Sequence, residues 1–345
     1  MVSWVAPRNS KKHVTRAGRA IGAGEATIDD YMVLENWRAS HAYVLNTFQS
    51  NLRNRSRGAD IAVGTRLKRR ATIENKLRRF PDMQLARMHD IAGCRVIFNS
   101  IDELLAFRSS VHGARFNHKR RGVEGDKWNY IIHPKEDGYR GIHDVYEYDV
   151  LSEGGKPWNG LLIEIQYRTY AQHAWSTAVE VAGLLTHNNP KFGQGSPELI
   201  EFFGIASELI ARCYESMTSG LPSVTGSKLK YRLEGLERET RIIQLFRRVN
   251  TKVVSIDFRK NNILVFPFVT EAQENASDLQ IISFDNVFRA INRYNQLEKE
   301  LDGRADVVLV RADSFENMRV TFRNYFADTT EFVSLIDKAL KMDVA

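Results

Sequence analysis

Two carboxylates are the residues whose types and positions most directly suggest chemistry. Asp90 stands just before the apolar segment CRVIF (94–98), and Glu164 lies within the alternating segment LLIEIQYRTY (161–170). Two acids that converge on one sheet face suit Mg²⁺, which takes a few carboxylates together with substrate phosphates. The pattern leaves a second interpretation open, in which Asp90 caps a local turn and Glu164 faces water.

A dense group of basic residues lies upstream of both acids, in TRLKRRATIENKLRRF (65–80). Residues 1–80 carry 16 Lys and Arg against 6 Asp and Glu, or +10, whereas residues 251–345 carry 12 against 15, or −3. This bias favours contact with the phosphates of a nucleotide or of RNA, and a solvated basic face is the alternative. A metal held beside a polyphosphate would suit phosphoryl-type transfer, which depends mainly on positioning and charge neutralisation.

Tyr139 lies in the turn DGYRG (137–141), close in sequence to Lys135, Arg140 and His143. An exposed ring at this place would stack on a nucleobase, as aromatic side chains do with unpaired bases. The alternative is a ring that covers the edge of the core. The sequence contains no Walker A loop, GxGxxG or GxSxG pattern that would indicate a different site.

The elements that must position these residues form a mixed α/β pattern. Strands are predicted at 94–98, 130–133, 142–150 and 161–169, and helices after Thr27, near Ser100 and over 170–185. In the last strand, Glu164, Gln166 and Arg168 share one face because strand side chains alternate. Two helical stretches follow residue 195, and then a hairpin of KVVSIDF and ILVFPF leads into further strand and helix alternation.

Length and composition limit the class of protein. A chain of 345 residues with 43% hydrophobic content can bury a sizeable core, and the absence of an apolar run of about 18 residues predicts a soluble protein. Cys94 and Cys213 have no metal-site spacing, so neither a disulfide framework nor a zinc site is indicated, and a cytoplasmic location is the default. The Arg-rich, acid-poor N-terminus predicts a flexible or docking arm.

Four motifs in order, RLKRRATIENK, DIAGCRVIF, PKEDGYRGIH and IEIQYRT followed by HAW, resemble the synthetase domain of RelA/SpoT proteins, which make (p)ppGpp alarmones. The resemblance spans residues 60–185. It implies an α+β fold, a mixed β-sheet flanked by helices that is related to nucleotidyltransferases. It also implies an Mg²⁺-dependent GTP/GDP pyrophosphokinase, which transfers the β,γ-pyrophosphate of ATP to the ribose 3′-hydroxyl of GDP or GTP and releases AMP.

The resemblance assigns roles position by position. Asp90 and Glu164 match the metal-binding carboxylates, and Glu164 also matches the group that accepts the hydroxyl proton. The positions that match ATP-binding residues are Arg66, Lys68, Arg69, Thr72, Lys76 and Arg95, where Arg66 and Arg95 sandwich the adenine. The positions on the acceptor side are Lys135, Tyr139, His143, Gln166 and His173, where Tyr139 stacks on the guanine. The chain departs from the family pattern at Asn129, where many members have Asp, and at Asp137, where the familiar motif has Asn.

Four regions are predicted: a basic arm and helix (1–58), a synthetase-like domain (59–190), a helical segment (191–250) and a small α/β module (251–345). No hydrolase domain is expected, so the chain resembles the long single-synthetase proteins, a group that includes toxins of toxin–antitoxin systems. One alternative is therefore a toxin that pyrophosphorylates the tRNA 3′ end or makes an adenine alarmone, with an antitoxin or a second copy of the chain as a protein partner. Another alternative is an inactive nucleotide-binding module. No membrane partner is expected.

Overall fold

The structure, a computed structural model, describes residues 4–185, 196–248, 261–267, 280–301, 305–311 and 329–344. The strands are β1 (Ala62–Leu67), β2 (Ala92–Phe98), β3 (Lys119–Arg121), β4 (Ile142–Glu147), β5 (Leu162–Thr169), β6 (Asn261–Pro267), β7 (Gln280–Phe284) and β8 (Ala305–Arg311). They form one sheet in the order β3-β4-β5-β2-β1-β8-β6-β7. The β2–β5 pair is parallel, and the other named pairs are antiparallel.

Helices pack on this sheet and form a second core beside it. They are α1 (Lys11–Ala23), α2 (Ile28–Arg55), α3 (Arg70–Arg79), α4 (Ile101–His112), α5 (Tyr170–Leu185), α6 (Pro197–Glu215), α7 (Gly226–Thr240), α8 (Ile242–Arg248), α9 (Val287–Glu300) and α10 (Thr330–Ala339). One core joins the apolar sides of α1, α2 and α4 to the sheet, and another joins α5 to α6, α7, α8 and α10. The predicted α+β fold with a mixed sheet flanked by helices is confirmed.

Several local predictions are confirmed by the chain's own capping chemistry. Thr27 begins α2, and its side chain accepts a hydrogen bond from the amide of Asp30 while the Asp30 carboxylate accepts one from the amide of Thr27. Ser100 caps α4 in the same manner through the amide of Glu103. Helix α5 covers the predicted residues 170–185.

The predicted strand at 130–133 is wrong, because the chain turns there. The Asn129 side-chain oxygen accepts hydrogen bonds from the amides of Ile131 and Ile132, and the amide of His133 donates to the carbonyl of Asn129. These bonds satisfy the backbone locally and replace a strand ladder with a turn. Only the isolated bridge between Asn129 and Ile142 remains.

Of the two alternatives for the N-terminal arm, flexible or docking, the flexible one is wrong for residues 11–23, which form helix α1. Val14, Ala17 and Ile21 are fully buried, and Ser10 and Gly24 cap the two ends. Their spacing of three and four residues is the signal that would have predicted this helix. Helix α1 packs on α3, and its exposed residues include Lys11, Lys12, Arg16 and Arg19.

The C-terminal strands extend the same sheet that carries the synthetase motifs. Strand β8 pairs with β1 through Arg66 opposite Val310, and α10 packs against α5 and α6. The predicted boundaries at residues 58, 190 and 250 stay predictions. The predicted strand KVVSIDF lies outside the described residues, and ILVFPF falls largely within β6, which pairs with β7 and β8. None of the described helices combines the length and the apolar character needed to cross a membrane.

Candidate active site

One face of the sheet brings the predicted site residues of four strands together. In strand β5, Gln166 donates a hydrogen bond to Glu164 at 2.6 Å and accepts one from Arg168 at 3.3 Å, so the predicted row on one face is confirmed. Residues directly opposite each other on neighbouring strands point to the same side of a sheet. The pairs that extend this face are Arg66 with Gly93, Gly93 with Glu164, Arg95 with Gln166, and Gln166 with His143.

Glu164 lies at the centre of this face and is only 5% exposed. Its Oε1 atom is 3.1 Å from His143 Nδ1 and 3.6 Å from His89 Nδ1. Burial by itself would raise the pKa of the carboxyl, but the nearby His143 and His89 outweigh burial and hold the pKa well below the ordinary 4.5. Glu164 is therefore an ionised carboxylate at neutral pH.

Asp90 lies at the edge of the same face, between two lysines. Its Oδ2 atom accepts hydrogen bonds from Lys68 Nζ at 2.8 Å and Lys76 Nζ at 2.9 Å. Burial and the charge of Glu164 oppose ionisation, but the two lysines prevail and lower the pKa of Asp90. The other oxygen, Oδ1, is buried and has no hydrogen-bond partner among the described residues. An orphaned carboxylate oxygen beside a second carboxylate is a place where a cation would restore the balance of charge.

The turn from β1 into α3 carries the basic residues of the donor side. Arg69 is the residue before α3, and Thr72 lies in the first turn of this helix. Ile73 and Leu77 are buried, so the helix presents Thr72 and Lys76 on a different side from its apolar stripe. A helix N-terminus beside Lys68 and Lys76 forms an electropositive region of the kind that binds phosphate.

Arg66 and Arg95 face the same side from neighbouring strands. Arg95 is buried in β2, and burial together with the positive charges of Arg168 and Arg66 lowers its pKa to about 9. Cations lower each other's pKa when too little negative charge lies between them. The floor of the site is therefore electropositive and suited to an anion. The adenine sandwich by Arg66 and Arg95 stays a prediction.

Of the two positions that the sequence left open for Tyr139, the structure shows the ring at the edge of the core, because the side chain is folded inward and is 9% exposed. Its hydroxyl is 2.6 Å from His143 Nε2 and accepts a hydrogen bond from Arg168 Nη2 at 2.9 Å. Gly138 has a φ of 87°, and Ser207 of α6 donates a hydrogen bond to its carbonyl, so the turn is fixed against α6. The stacking role of Tyr139 stays a prediction.

The remaining acceptor-side predictions fall around Tyr139 at different depths. Lys135 is exposed, with Nζ 5.0 Å from the centroid of the Tyr139 ring. Gln166 is hydrogen-bonded to Glu164, and His173 is buried in the first turn of α5. The structure thus places His143, Gln166 and Tyr139 in one continuous chain of contacts that ends at Glu164. The acceptor-side role of His173 stays a prediction.

His89 was missed by the sequence prediction, although it precedes Asp90 in the motif MHD. Its imidazole stands between Glu164 and the ring of Trp128, whose centroid is 5.4 Å away. Arg168, whose role the sequence left open, supports both Gln166 and Tyr139. The signal for His89 was weak, because only the fold shows that the end of the loop before β2 faces β5.

A polar cluster lies behind β4, on the side of the strand opposite to His143. Arg108 of α4 makes hydrogen bonds to Asp144 at 2.6 Å and to Asp126 at 2.5 Å, and His112 lies 2.7 Å from Asp144. Hydrogen bonds from Arg108 lower the pKa of Asp126 to about 2. Asn129 donates to the same carboxylate, so the charged segment 126–129 is fixed from behind.

Comparison with known proteins identifies the family. Residues 65–184 match the region found in RelA/SpoT proteins. The GTP pyrophosphokinase YjbM of Bacillus subtilis (strain 168) is 32% identical to the chain over 157 residues, which are 44% of this chain and 68% of that protein. The chain therefore belongs to the RelA/SpoT family, as its motifs predicted, and membership supports the predicted pyrophosphokinase class.

Two solved structures also resemble the chain. The small alarmone synthetase 1 from Bacillus subtilis, bound to its product pppGpp, is 21% identical, with a TM-score of 0.38 over 61% of this chain and 95% of that chain. A GTP pyrophosphokinase family protein from Streptococcus pneumoniae is 21% identical, with a TM-score of 0.42 over 60% of this chain and 98% of that chain.

Proposed function

We propose that the protein transfers the β,γ-pyrophosphate of ATP to the ribose 3′-hydroxyl of GDP or GTP, giving (p)ppGpp and AMP. The observation that carries this proposal is the joining of two unlike halves on one sheet face. Lys68, Lys76 and Asp90 form a charged donor half, and Glu164 begins a chain of hydrogen bonds that leads to Tyr139 in the acceptor half. Membership of a family that includes a GTP pyrophosphokinase supports the same reaction.

The proposed residues divide the work of the transfer. The 3′-oxygen attacks the β-phosphorus of ATP, the bond from that phosphorus to the oxygen shared with the α-phosphate breaks, and AMP leaves with that oxygen. Glu164 is ionised and lies at the end of the chain of hydrogen bonds that leads to Tyr139, and it takes the hydroxyl proton. Lys68, Lys76 and the start of α3 neutralise the phosphates, which is the main requirement of phosphoryl-type transfer.

Asp90 and Glu164 are the residues that would hold Mg²⁺, as predicted. The orphaned Oδ1 atom of Asp90 fits this role, and Mg²⁺ commonly uses one or two carboxylates together with substrate phosphates. When bound, the ion would neutralise phosphate charge and orient the reacting groups. Lys68 and Lys76 keep Asp90 ionised and so available to a cation.

A second candidate function, pyrophosphorylation of the tRNA 3′ end, is favoured by exposed positive charge outside the donor half. Arg8, Lys11, Lys12, Arg16 and Arg19 are exposed on or beside α1. Helix α1 packs on α3 near its C-terminal end, where Gly22 lies beside Leu77, and Lys11 at its other end lies beside Gly160, in the turn before β5. A charged face of this kind follows a phosphate backbone without reading its sequence. Transfer to an adenine nucleotide is a third outcome of the same chemistry.

Labelled ATP separates these candidates directly. ATP labelled in its β or γ phosphate is incubated with GDP, GTP, ADP or bulk tRNA, and the acceptor that takes the label is identified. We expect label on GDP or GTP. Label on tRNA alone would replace the first proposal with the second. If no ATP is consumed with any of these acceptors, the protein would be an inactive nucleotide-binding module.

The double variant Lys12→Glu/Arg19→Glu tests the exposed basic face within the same assay. If tRNA is the acceptor, reversing two charges should weaken transfer to tRNA, more strongly at low salt, and leave ATP affinity unchanged. If GDP or GTP is the acceptor, the variant should match the parent at every salt concentration.

A further inference from the structure

Arg38, in the middle of α2, is an arginine that none of the four motifs includes and that the proposed chemistry does not use. It is 1% exposed, although arginine is rarely buried without a specific set of partners. Its guanidinium reaches two parts of the chain that are far apart in sequence, the turn between β1 and α3 and the helix α9. A buried, fully partnered guanidinium with fixed donor directions can hold two such elements in register.

On the donor side, Arg38 holds the backbone of Lys68. The Nε atom of Arg38 donates a hydrogen bond to the Lys68 carbonyl at 2.8 Å. The amide of Lys68 donates to the carbonyl of Ile91 at 2.8 Å, and its side chain donates to Asp90 at 2.8 Å. Lys68 is therefore fixed by its amide, its carbonyl and its ammonium group, and Arg38 supplies the contact to the carbonyl.

On the C-terminal side, α9 determines where the guanidinium of Arg38 lies. Arg38 Nη1 is 2.8 Å from Glu298 Oε2, Arg38 Nη2 donates to the Tyr294 hydroxyl, and that hydroxyl donates to Glu298 Oε1 at 2.8 Å. The guanidinium also lies 5.0 Å from the centroid of the Tyr294 ring. Glu35 of α2 completes the set, at 3.3 Å from Arg38 Nη1.

The two contacts join the C-terminal region, for which the sequence suggested no chemistry, to the donor half of the site. We propose that Arg38 is a positioning residue for the Lys68 turn and that Tyr294 and Glu298 of α9 set its position, so that the C-terminal region controls the affinity for ATP. This inference rests on the proposed function, since it assumes that the Lys68 turn grips ATP phosphates. Helix α9 packs on strand β8, and β8 pairs with β1 beside the same turn, so α9 is held in place by the sheet.

The test compares donor binding with overall stability. Arg38→Met removes the donors and keeps an unbranched side chain, and Tyr294→Phe removes the two hydrogen bonds of the Tyr294 hydroxyl, to Arg38 and to Glu298, and keeps the ion pair between Arg38 and Glu298. Arg293→Gln is the matched control, because Arg293 is the neighbour of Tyr294 on α9 and its guanidinium pairs with Glu300 of the same helix at 3.2 Å. Each protein is titrated with the ATP analogue AMPCPP in a calorimeter, without any acceptor, and its thermal unfolding is recorded.

We expect the dissociation constant for AMPCPP to rise about tenfold in Arg38→Met and about threefold in Tyr294→Phe, since small displacements of a positioning group have large effects. Arg293→Gln should match the parent. In turnover assays with the acceptor found above, KM for ATP should rise and KM for the acceptor should stay within about twofold, a difference that general destabilisation would not produce.

Several results would overturn the inference. A folded Arg38→Met protein that binds AMPCPP as tightly as the parent would remove the role of Arg38 and leave the proposed function intact. Equal losses for ATP and acceptor would show a merely structural role. If Arg38→Met does not fold, an unchanged AMPCPP affinity in Tyr294→Phe decides against the proposal. A parent protein that binds no AMPCPP would overturn the proposed function and this inference together.

Discussion

The donor half of the site is partly exposed to solvent, whereas the acceptor half is closed by its own hydrogen bonds. The side chains of Lys68, Asp90 and Lys76 are 16%, 20% and 23% exposed. Tyr139, Glu164 and Arg168 are all buried, and they bond to one another or through His143 and Gln166. Charges that bind a polyphosphate can thus be in place before the substrate arrives, whereas an acceptor must replace contacts that the protein already makes.

Because of this difference, we expect the two substrates to break different numbers of existing protein contacts when they bind. The donor half keeps its lysines in place by pairing them with Asp90, so binding ATP changes mainly which anion they face. If Tyr139 stacks on a base as predicted, the acceptor half must first release its hydroxyl from His143 and Arg168. We therefore expect variants in the two halves to separate cleanly into effects on ATP and effects on the acceptor.

Glu164→Gln should give the largest effect, because it removes the carboxylate that is proposed both to take the hydroxyl proton and to hold Mg²⁺ together with Asp90. Transfer should fall by at least about 10²-fold, since a positioned general base typically contributes that much or more. AMPCPP affinity should remain within about twofold of the parent in calorimetry, since the amide keeps the shape of the side chain. Glu153→Gln, at an exposed position, is the control. Turnover by Glu164→Gln near the parent rate would remove its assigned role.

Asp90→Asn should give the next largest effect and should act through magnesium. The amide cannot supply the same charge to a cation, so the Mg²⁺ concentration needed for half-maximal transfer should rise by about tenfold or more. Binding of AMPCPP without magnesium should be unchanged or tighter, because Lys68 and Lys76 lose their carboxylate and become available to phosphate. An unaltered magnesium dependence would show that Asp90 is not a ligand.

Tyr139 tests the closed half, and two substitutions should have opposite effects. Tyr139→Ala removes the ring, so KM for the acceptor should rise about tenfold, which is typical of a lost base stack. Tyr139→Phe keeps the ring and removes the bonds to His143 and Arg168, so KM for the acceptor should be unchanged or lower. KM for ATP should not change in either variant. A rise in acceptor KM for both variants would favour a structural role for the hydroxyl.

The free energy of unfolding in acid should report on the polar cluster of Arg108, Asp126 and Asp144 behind β4, with the smallest effect of the series. The folded-state pKa of Asp126 is about 2, below the ordinary 3.8, so its ion pair with Arg108 stabilises the fold above about pH 4 and is lost as the pH falls towards 2. Because Asp126 is partly exposed, we expect the contribution to be about 1 kcal/mol. Urea unfolding of the parent and of Asp126→Asn, carried out at a series of pH values between pH 5 and pH 2, measures this contribution to the free energy of unfolding.

The matched control for this measurement is Glu124→Gln, in the same loop and exposed. The parent and this control should lose stability in parallel as the pH falls, and Asp126→Asn should start lower and lose less. Parallel curves for all three proteins would show that the Asp126 pair does not stabilise the fold.

Short-range patterns predicted the elements best where one periodicity dominates. The alternation of LLIEIQYRTY places Glu164, Gln166 and Arg168 on one face, and the Thr27 capping pattern marks the start of α2. Both depend on neighbours within a few residues, which a single sequence contains. The strand β1 was missed because AVGTRL has only a weak alternating pattern, and its place between β2 and β8 comes from pairing across the fold.

The parts of the site that the sequence could not predict are those made by distant residues. The inward position of Tyr139 depends on Arg168 and on the packing of α6 against Gly138. The place of His89 beside Glu164 depends on the parallel pairing of β2 with β5. Neither dependence has a local signature, so motifs identify which residues meet and the fold determines how they meet.

The contact between Arg38 and Tyr294 has a consequence for the order in which the protein is made. The two residues are 256 positions apart, so the Lys68 turn receives its support from α9 only after the ribosome has added Tyr294. At roughly 5–20 residues per second, synthesis of that interval takes more than about ten seconds. If Arg38 sets ATP affinity as proposed, a nascent or prematurely terminated chain that lacks α9 would bind ATP poorly, and consumption of cellular ATP would begin only after α9 has been made.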